Sequence, residues 1–339
     1  MSSFVRTFRR TVVEGRFVSF PVALVIIGMR VLLFSQAKDR PISYPDSSHL
    51  WQYLAPFFSD PVVSLAASTL SVLLIARLIH SMNNRFALIR TRSNLPFMVP
   101  LFLLSLHPRF LVMSADLVAV IGVLLAFFPL LQSYQKQEAY LCSFRSAILI
   151  AFASLFHIGA LALVPLWWRG ERSMRGSQWR ALLTFLFGIL LVYLSLFSVH
   201  FLQDDVYGFL QPFRFFSAFS VPLLPDYSIT EWIAVLFVAL FFISNMILST
   251  RTYSRDKVLT LKLMRFVVYL VVFLLLLQVI YWSRTLFFLT LAIALISYLN
   301  AYYFTRTNAR SDGWLASLNI VVMLLFYLSH FDPFHAFLS

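Results

Sequence analysis

The sequence predicts an all-α, polytopic transmembrane helical bundle of about 10–11 membrane helices, and three observations lead there. First, 60% of the 339 residues are hydrophobic and 12% are charged, with a mean hydropathy of +0.82. A soluble domain has roughly 45–50% apolar and 25% charged residues. Second, apolar runs near the ~20 residues of a spanning helix fill most of the chain, which leaves no room for a soluble domain and predicts one integral membrane domain over 1–339. Third, the excess of 13 positive charges lies in short clusters between apolar runs. That is the pattern of membrane topology rather than of a nucleic-acid face, so no nucleic acid is expected as a partner.

Taken in order, the apolar runs are 17–35, 61–79, 94–106, 115–132, 146–156, 159–168, 179–199, 229–248, 264–282, 285–303 and 314–329. Arg6, Arg9, Arg10 and Arg16 precede the first. The combination resembles a signal peptide, but the run is long and no small-x-small cleavage site follows, so a retained first helix is expected. The segment 146–168 decides the topology. Its length suits one crossing, while His157 and Gly159 in its middle permit a hairpin of two half-length helices. With the hairpin and a cytoplasmic N-terminus, 21 of the 27 Lys and Arg fall on the cytoplasmic side. With a single crossing, 12 would be inside and 14 outside, against the positive-inside rule. The hairpin is therefore expected, in a multi-pass protein of the cell inner membrane.

Two external connections, 36–60 and 200–228, are long and rich in Pro and aromatics. His49 to Leu54 followed by Pro56-Phe57-Phe58 suits a short interfacial helix, where Trp and Tyr prefer to sit. Cys142 is the one cysteine, so an internal disulfide and a cysteine-built metal or redox site are excluded.

The residues Asn83-Asn84-Arg85-Phe86, Asn94-Leu95-Pro96, Ala151-Phe152-Ala153-Ser154-Leu155-Phe156, Trp179-Arg180 and Gly188 carry a resemblance over about half the chain. It is to a family of multi-spanning inner-membrane proteins of Bacteroidetes-type bacteria, and it implies a membrane fold without a particular activity. The hairpin ending in Leu163-Val164-Pro165-Leu166, the basic turn after it and the long apolar helix beyond also resemble the membrane core of GT-C-type glycosyltransferases that use polyprenyl-phosphate sugars. That resemblance implies a catalytic Asp or Glu in the first external loop, where Asp39 and Asp46 stand, although the family's tightly placed acidic motif is absent.

Transfer of a sugar from a lipid phosphate needs a base near the acceptor hydroxyl and a cation facing the phosphate. Asp39 and Asp46 are the candidate bases, with Arg40, Arg109 and Arg214 as candidate phosphate partners. Asp204 and Asp205 are placed to take an acceptor or a divalent cation, and His157 to take a proton or the donor. Each has a plainer reading. The loop charges solubilise the outer face, Arg109 snorkels to the interface, and His157 packs at a helix break. Ser114 and Asp116 read as a helix cap and first-turn acid. Arg30 is a basic residue inside an apolar run, where a charge often marks function.

Motifs for nucleotide-driven transport, zinc hydrolysis and serine hydrolysis are absent. Three functions remain open. The first is a GT-C-like transferase of the lipid-linked glycan or envelope pathway, acting in a cavity between the two external loops. The second is a non-catalytic membrane subunit docked to a protein partner in the envelope. The third is a lipid or small-solute transporter, which the scarcity of intramembrane acids and lysines disfavours for ion coupling. Whether the protein is an enzyme is left open by the sequence, and membrane lipids are its expected surroundings.

Overall fold

The computed structural model describes residues 18–36, 48–89, 93–136, 140–175, 179–217, 239–240, 242–247, 257–281, 285–306 and 310–328. These residues are helical and contain no strand. The longer elements are α1 (Ser19–Gln36), α3 (Pro61–Phe86), α4 (Leu95–Leu103), α5 (Ala115–Gln132), α6 (Tyr140–Phe156), α7 (Val164–Arg175), α8 (Trp179–Leu202), α10 (Val258–Ile280), α11 (Phe287–Arg306) and α12 (Arg310–Leu328). Two one-turn helices, α2 (Trp51–Leu54) and α9 (Val206–Leu210), lie in the connections. Among the described residues five helices are long and apolar enough to cross a membrane: α3, α5, α8, α10 and α11.

Local chemistry sets the boundaries. The Asp60 carboxylate accepts hydrogen bonds from Val62 N (2.7 Å) and Val63 N (3.4 Å), with Pro61 behind it, so α3 starts there. It stops at Ala87, whose φ of 46° is left-handed, while the Asn83 amide oxygen receives the Ile89 N–H (3.1 Å). The short apolar run 94–106 is helical for 9 residues, about 14 Å at 1.5 Å per residue. Pro96 and Pro100 deny backbone donors to it, and beyond Leu103 the chain turns back toward α5 through the 3₁₀ turn Pro108–Phe110.

Small residues determine how the central helices pair. A Cβ on Gly122 would lie 2.8 Å from that of Ala153, and Ser146 Oγ donates to Ala126 O (3.3 Å), so α5 and α6 run antiparallel in close contact. Gly188 stands in the same relation to Ala147, and Ser154 Oγ pairs with Tyr193 Oη at 2.7 Å. Residue numbers rise together along α6 and α8, so these helices are parallel and the chain between them returns along the bundle.

That return begins where His157 and Gly159 break the helix. It proceeds as a 3₁₀ segment (Ile158–Leu163) and then α7. Trp167, Gly170, Glu171 and Met174 of α7 are buried at helical spacing, with Gly170 against the Phe266 ring of α10.

The bundle has two ends. At one, Asp60, Asp116, Leu155, His157, His200 and Thr285 meet, as contacts from Met113 N to Ser64, from His49 N to Leu155 O and from Thr285 to Asp116 establish. At the other, Ser143, Glu171 and Arg175 meet, and Thr260 donates to Leu88 O. Helix α11 is central, with 83% of its apolar window buried, whereas α8 is at the rim with 17%.

Candidate functional site

The Asp116 end holds a buried cluster of titratable and polar groups. Asp116 stands in the first turn of α5, where a negative charge complements the helix N-terminus. Ser114 has the extended backbone of an N-cap, but its hydroxyl makes no cap bond, so the capping part of the sequence reading does not hold. Thr285 Oγ1 donates to Asp116 Oδ1 (3.3 Å), and the Leu286 backbone N–H also bonds the carboxylate.

His157 is fully buried and lies 3.7 Å from that same oxygen through Nε2. Its Nδ1 accepts the Gly159 N–H at 3.1 Å, which leaves the proton of the neutral ring on Nε2, facing Asp116. At 3.7 Å this is an approach and not a hydrogen bond. Phe287 stacks on the imidazole with centroids 4.9 Å apart, and Phe215 meets it edge-on at 5.2 Å. Gln278 ties α10 to α11 beside them, donating to Thr285 O (2.8 Å) and accepting from Leu289 N (2.9 Å). His157 is fully buried while Asp116 keeps 17% of its side chain exposed, and no serine or cysteine hydroxyl or thiol bonds to either member of the pair among the described residues.

Above this cluster residues 48–58 and 200–217 meet. His49 N and Leu50 N both donate to Leu155 O (2.9 and 3.0 Å), which fixes the first connection on the end of α6. The His49 ring then packs against Tyr193, His200, Phe209 and Phe213, with centroids 5.9 to 6.2 Å away. Neither of its nitrogens has a hydrogen-bond partner. Burial, and secondarily the neighbouring His200, hold its pKa down to about 4 from 6.5.

Of the residues singled out in the sequence, His157, Asp204, Asp205 and Arg214 lie at the Asp116 end. Asp39, Arg40 and Asp46 lie outside the described residues. Arg109 is exposed on its 3₁₀ turn. Asp205 caps α9 through Gly208 N (2.9 Å) and sits 3.6 Å from His200 Nδ1, while the adjacent Asp204 is exposed with φ 54°. Arg214 lies over the Tyr207 ring, 4.9 Å from its centroid. Among the described residues no group of three or more His, Cys, Asp or Glu is placed to hold a metal ion.

Arg30 of α1 is fully buried, and its guanidinium is saturated. Nε donates to Thr69 Oγ1 (3.0 Å), Nη1 to Leu104 O (3.1 Å) and Ser105 Oγ (3.4 Å), and Nη2 to Ser68 Oγ (2.9 Å) and Phe110 O (2.8 Å). All five N–H groups of an arginine are thereby used, on neutral partners from α3 and the turn after α4. The signal available in the sequence was the spacing of Ser64, Ser68 and Ser71 along one face of an apolar helix.

No family model matches the chain, and neither does a curated protein or a solved structure.

Proposed function

We propose that this chain is a single-domain, multi-pass protein of the bacterial inner membrane, with its N-terminus and Glu171 end in the cytoplasm, serving as a non-catalytic membrane subunit of an envelope complex. The topology is supported by the separation of charge between the two ends. Arg85, Lys136, Arg145, Arg169, Arg172, Arg175, Arg180, Lys257, Lys262 and Arg265 belong to the Glu171 end, and Arg109 and Arg214 with Asp60, Asp116, Asp204 and Asp205 to the other. The subunit reading is carried by one observation: the buried Arg30 and His157 and the helix-capping Asp205 are already committed to the fold. Arg30 has no donor left, Asp205 caps a helix, and His157 is sealed between phenylalanines.

Topology is tested in a Cys142→Ser background by single cysteines and a membrane-impermeant maleimide. Asp60→Cys and Asp204→Cys should label in intact spheroplasts, and Arg180→Cys and Lys257→Cys only after permeabilisation; the reverse pattern would overturn the orientation. The subunit reading expects a stoichiometric partner to co-purify from crosslinked membranes and to be lost on deletion of this chain. A lone, stable monomer with no such partner would sink it.

A second reading, GT-C-like transfer from a polyprenyl-phosphate sugar, is favoured by the meeting of the two external connections over the Asp116–His157 pair. Asp39, Arg40 and Asp46 immediately precede His49 in the chain. On this reading Asp39→Asn or Asp46→Asn abolishes transfer by purified protein while the thermal midpoint stays unchanged. Undiminished transfer by both variants would refute their catalytic role.

A further inference from the structure

At the opposite end, helices α7 and α10 leave a groove of about 340 Å³ between them, lined by Pro165, Leu166, Trp168, Arg169, Arg172 and Phe273. We propose that it is a binding site for an anionic phospholipid of the surrounding bilayer, an inference that rests on the membrane reading above. The lining is divided along the helix axis. Pro165, Leu166 and Phe273 lie toward the middle of the bundle and offer an apolar wall for acyl chains, while Arg169 and Arg172, one turn further along α7, stand at the mouth.

This order matches a lipid whose tail enters the hydrocarbon layer and whose phosphate stays at its edge, with Trp168 between them at the depth that indole favours. Basic pockets between membrane helices on the cytoplasmic side are suited to anionic headgroups. Both arginines are exposed. The Arg169 guanidinium lies 4.6 Å from the Tyr269 ring centroid, which holds it over the groove's α10 wall with its N–H edge open to a phosphate. The neighbouring basic residue Arg175 is instead taken up by Glu171 and Ser143 on the inward face of α7. The placement of two uncommitted arginines beside an apolar groove is what selects a phospholipid over a free phosphate, which would have no use for the apolar wall.

The test is native mass spectrometry of the full chain, released from vesicles of equal parts zwitterionic phosphatidylcholine and anionic phosphatidylglycerol. The parent should retain phosphatidylglycerol in preference to phosphatidylcholine. Each of Arg169→Gln and Arg172→Gln should lower that preference about fivefold, and the double variant about 25-fold. The control pair Arg180→Gln and Lys257→Gln removes equal charge from the same end outside the groove and should leave the preference within about twofold of the parent. No preference in the parent, or an equal loss in the control pair, would overturn the site. Release of the chain from membranes by alkaline carbonate would instead overturn the membrane reading on which it rests.

Discussion

Replacing Arg30 by methionine separates a structural clamp from a functional charge. Methionine keeps most of the apolar stem but removes five hydrogen bonds. Two of the three hydroxyls keep a partner, because Ser68 Oγ has its one proton between Leu65 O and Leu111 O, and Ser105 Oγ donates to Leu101 O. The carbonyls of Leu104 and Phe110 lose their guanidinium donor, and each unsatisfied buried acceptor costs about 1–3 kcal/mol. Against that stands the relief of no longer burying a charge, at least about 2.5 kcal/mol within a bilayer. The net expectation for Arg30→Met is a loss of no more than about 3 kcal/mol. Arg30→Lys retains the charge but offers three donors to five acceptors, and should lose at least as much. Equilibrium unfolding with sodium dodecyl sulfate in mixed micelles reads both. Parent-like unfolding of both variants, together with loss of partner binding or of transfer, would refute the clamp and make Arg30 a functional residue.

Four further outcomes follow from the same geometry. Gly122→Ala brings a methyl within 2.8 Å of Ala153 Cβ and 3.3 Å of its Cα, with backbone that cannot yield, and should destabilise by about 1–3 kcal/mol in the same assay. Gly28→Ala meets nothing within 4 Å and should be neutral or stabilising by up to about 1 kcal/mol. The folded state holds His49 neutral to about pH 4 while the unfolded chain protonates near 6.5, so its contribution is complete above pH 6.5 and lost as pH falls toward 4. His49→Gln should flatten that limb of the thermal midpoint against pH. Glu171→Ala leaves the buried Arg175 without its carboxylate and should cost about 3–5 kcal/mol, part of it recovered in the double variant with Arg175→Ala, as a double-mutant unfolding cycle would measure.

The helices were legible because apolar composition and length are local properties, and Pro61 and Asp60 mark one start plainly. The run 94–106 was legible as a short apolar helix, but not its last residue, since the carbonyl of Leu104 just beyond it is held by the distant Arg30. The cluster at the Asp116 end was legible only in pieces. His157 stood out as a histidine in an apolar run, but Asp116 read as a helix-start acid and Thr285 as nothing. Their approach depends on residues 41, 128 and 169 positions apart in sequence being gathered by three separate helix pairings. His49 and His200 were hidden for the same reason: no periodicity within one segment announces a contact between two external connections.

The return between α6 and α8 shows how charge and geometry bear on one another. Because α6 and α8 are parallel, residues 157–178 must travel the length of the bundle, yet Arg169, Arg172 and Arg175 leave only the stretch before them apolar enough for the interior of a membrane. Six residues of 3₁₀ helix rise about 2.0 Å each and twelve of α-helix about 1.5 Å each. Together they cover about 30 Å, of which the stretch before Arg169 supplies about 20 Å. A hydrocarbon-facing strand of that composition would be unstable, but here the 3₁₀ half is shielded by neighbours, with Ile158, Gly159, Ala160 and Leu163 buried. The break at His157 is thus what lets a short, basic-ended segment return along the bundle, and the Asp116–His157 pair sits at the point where that return begins.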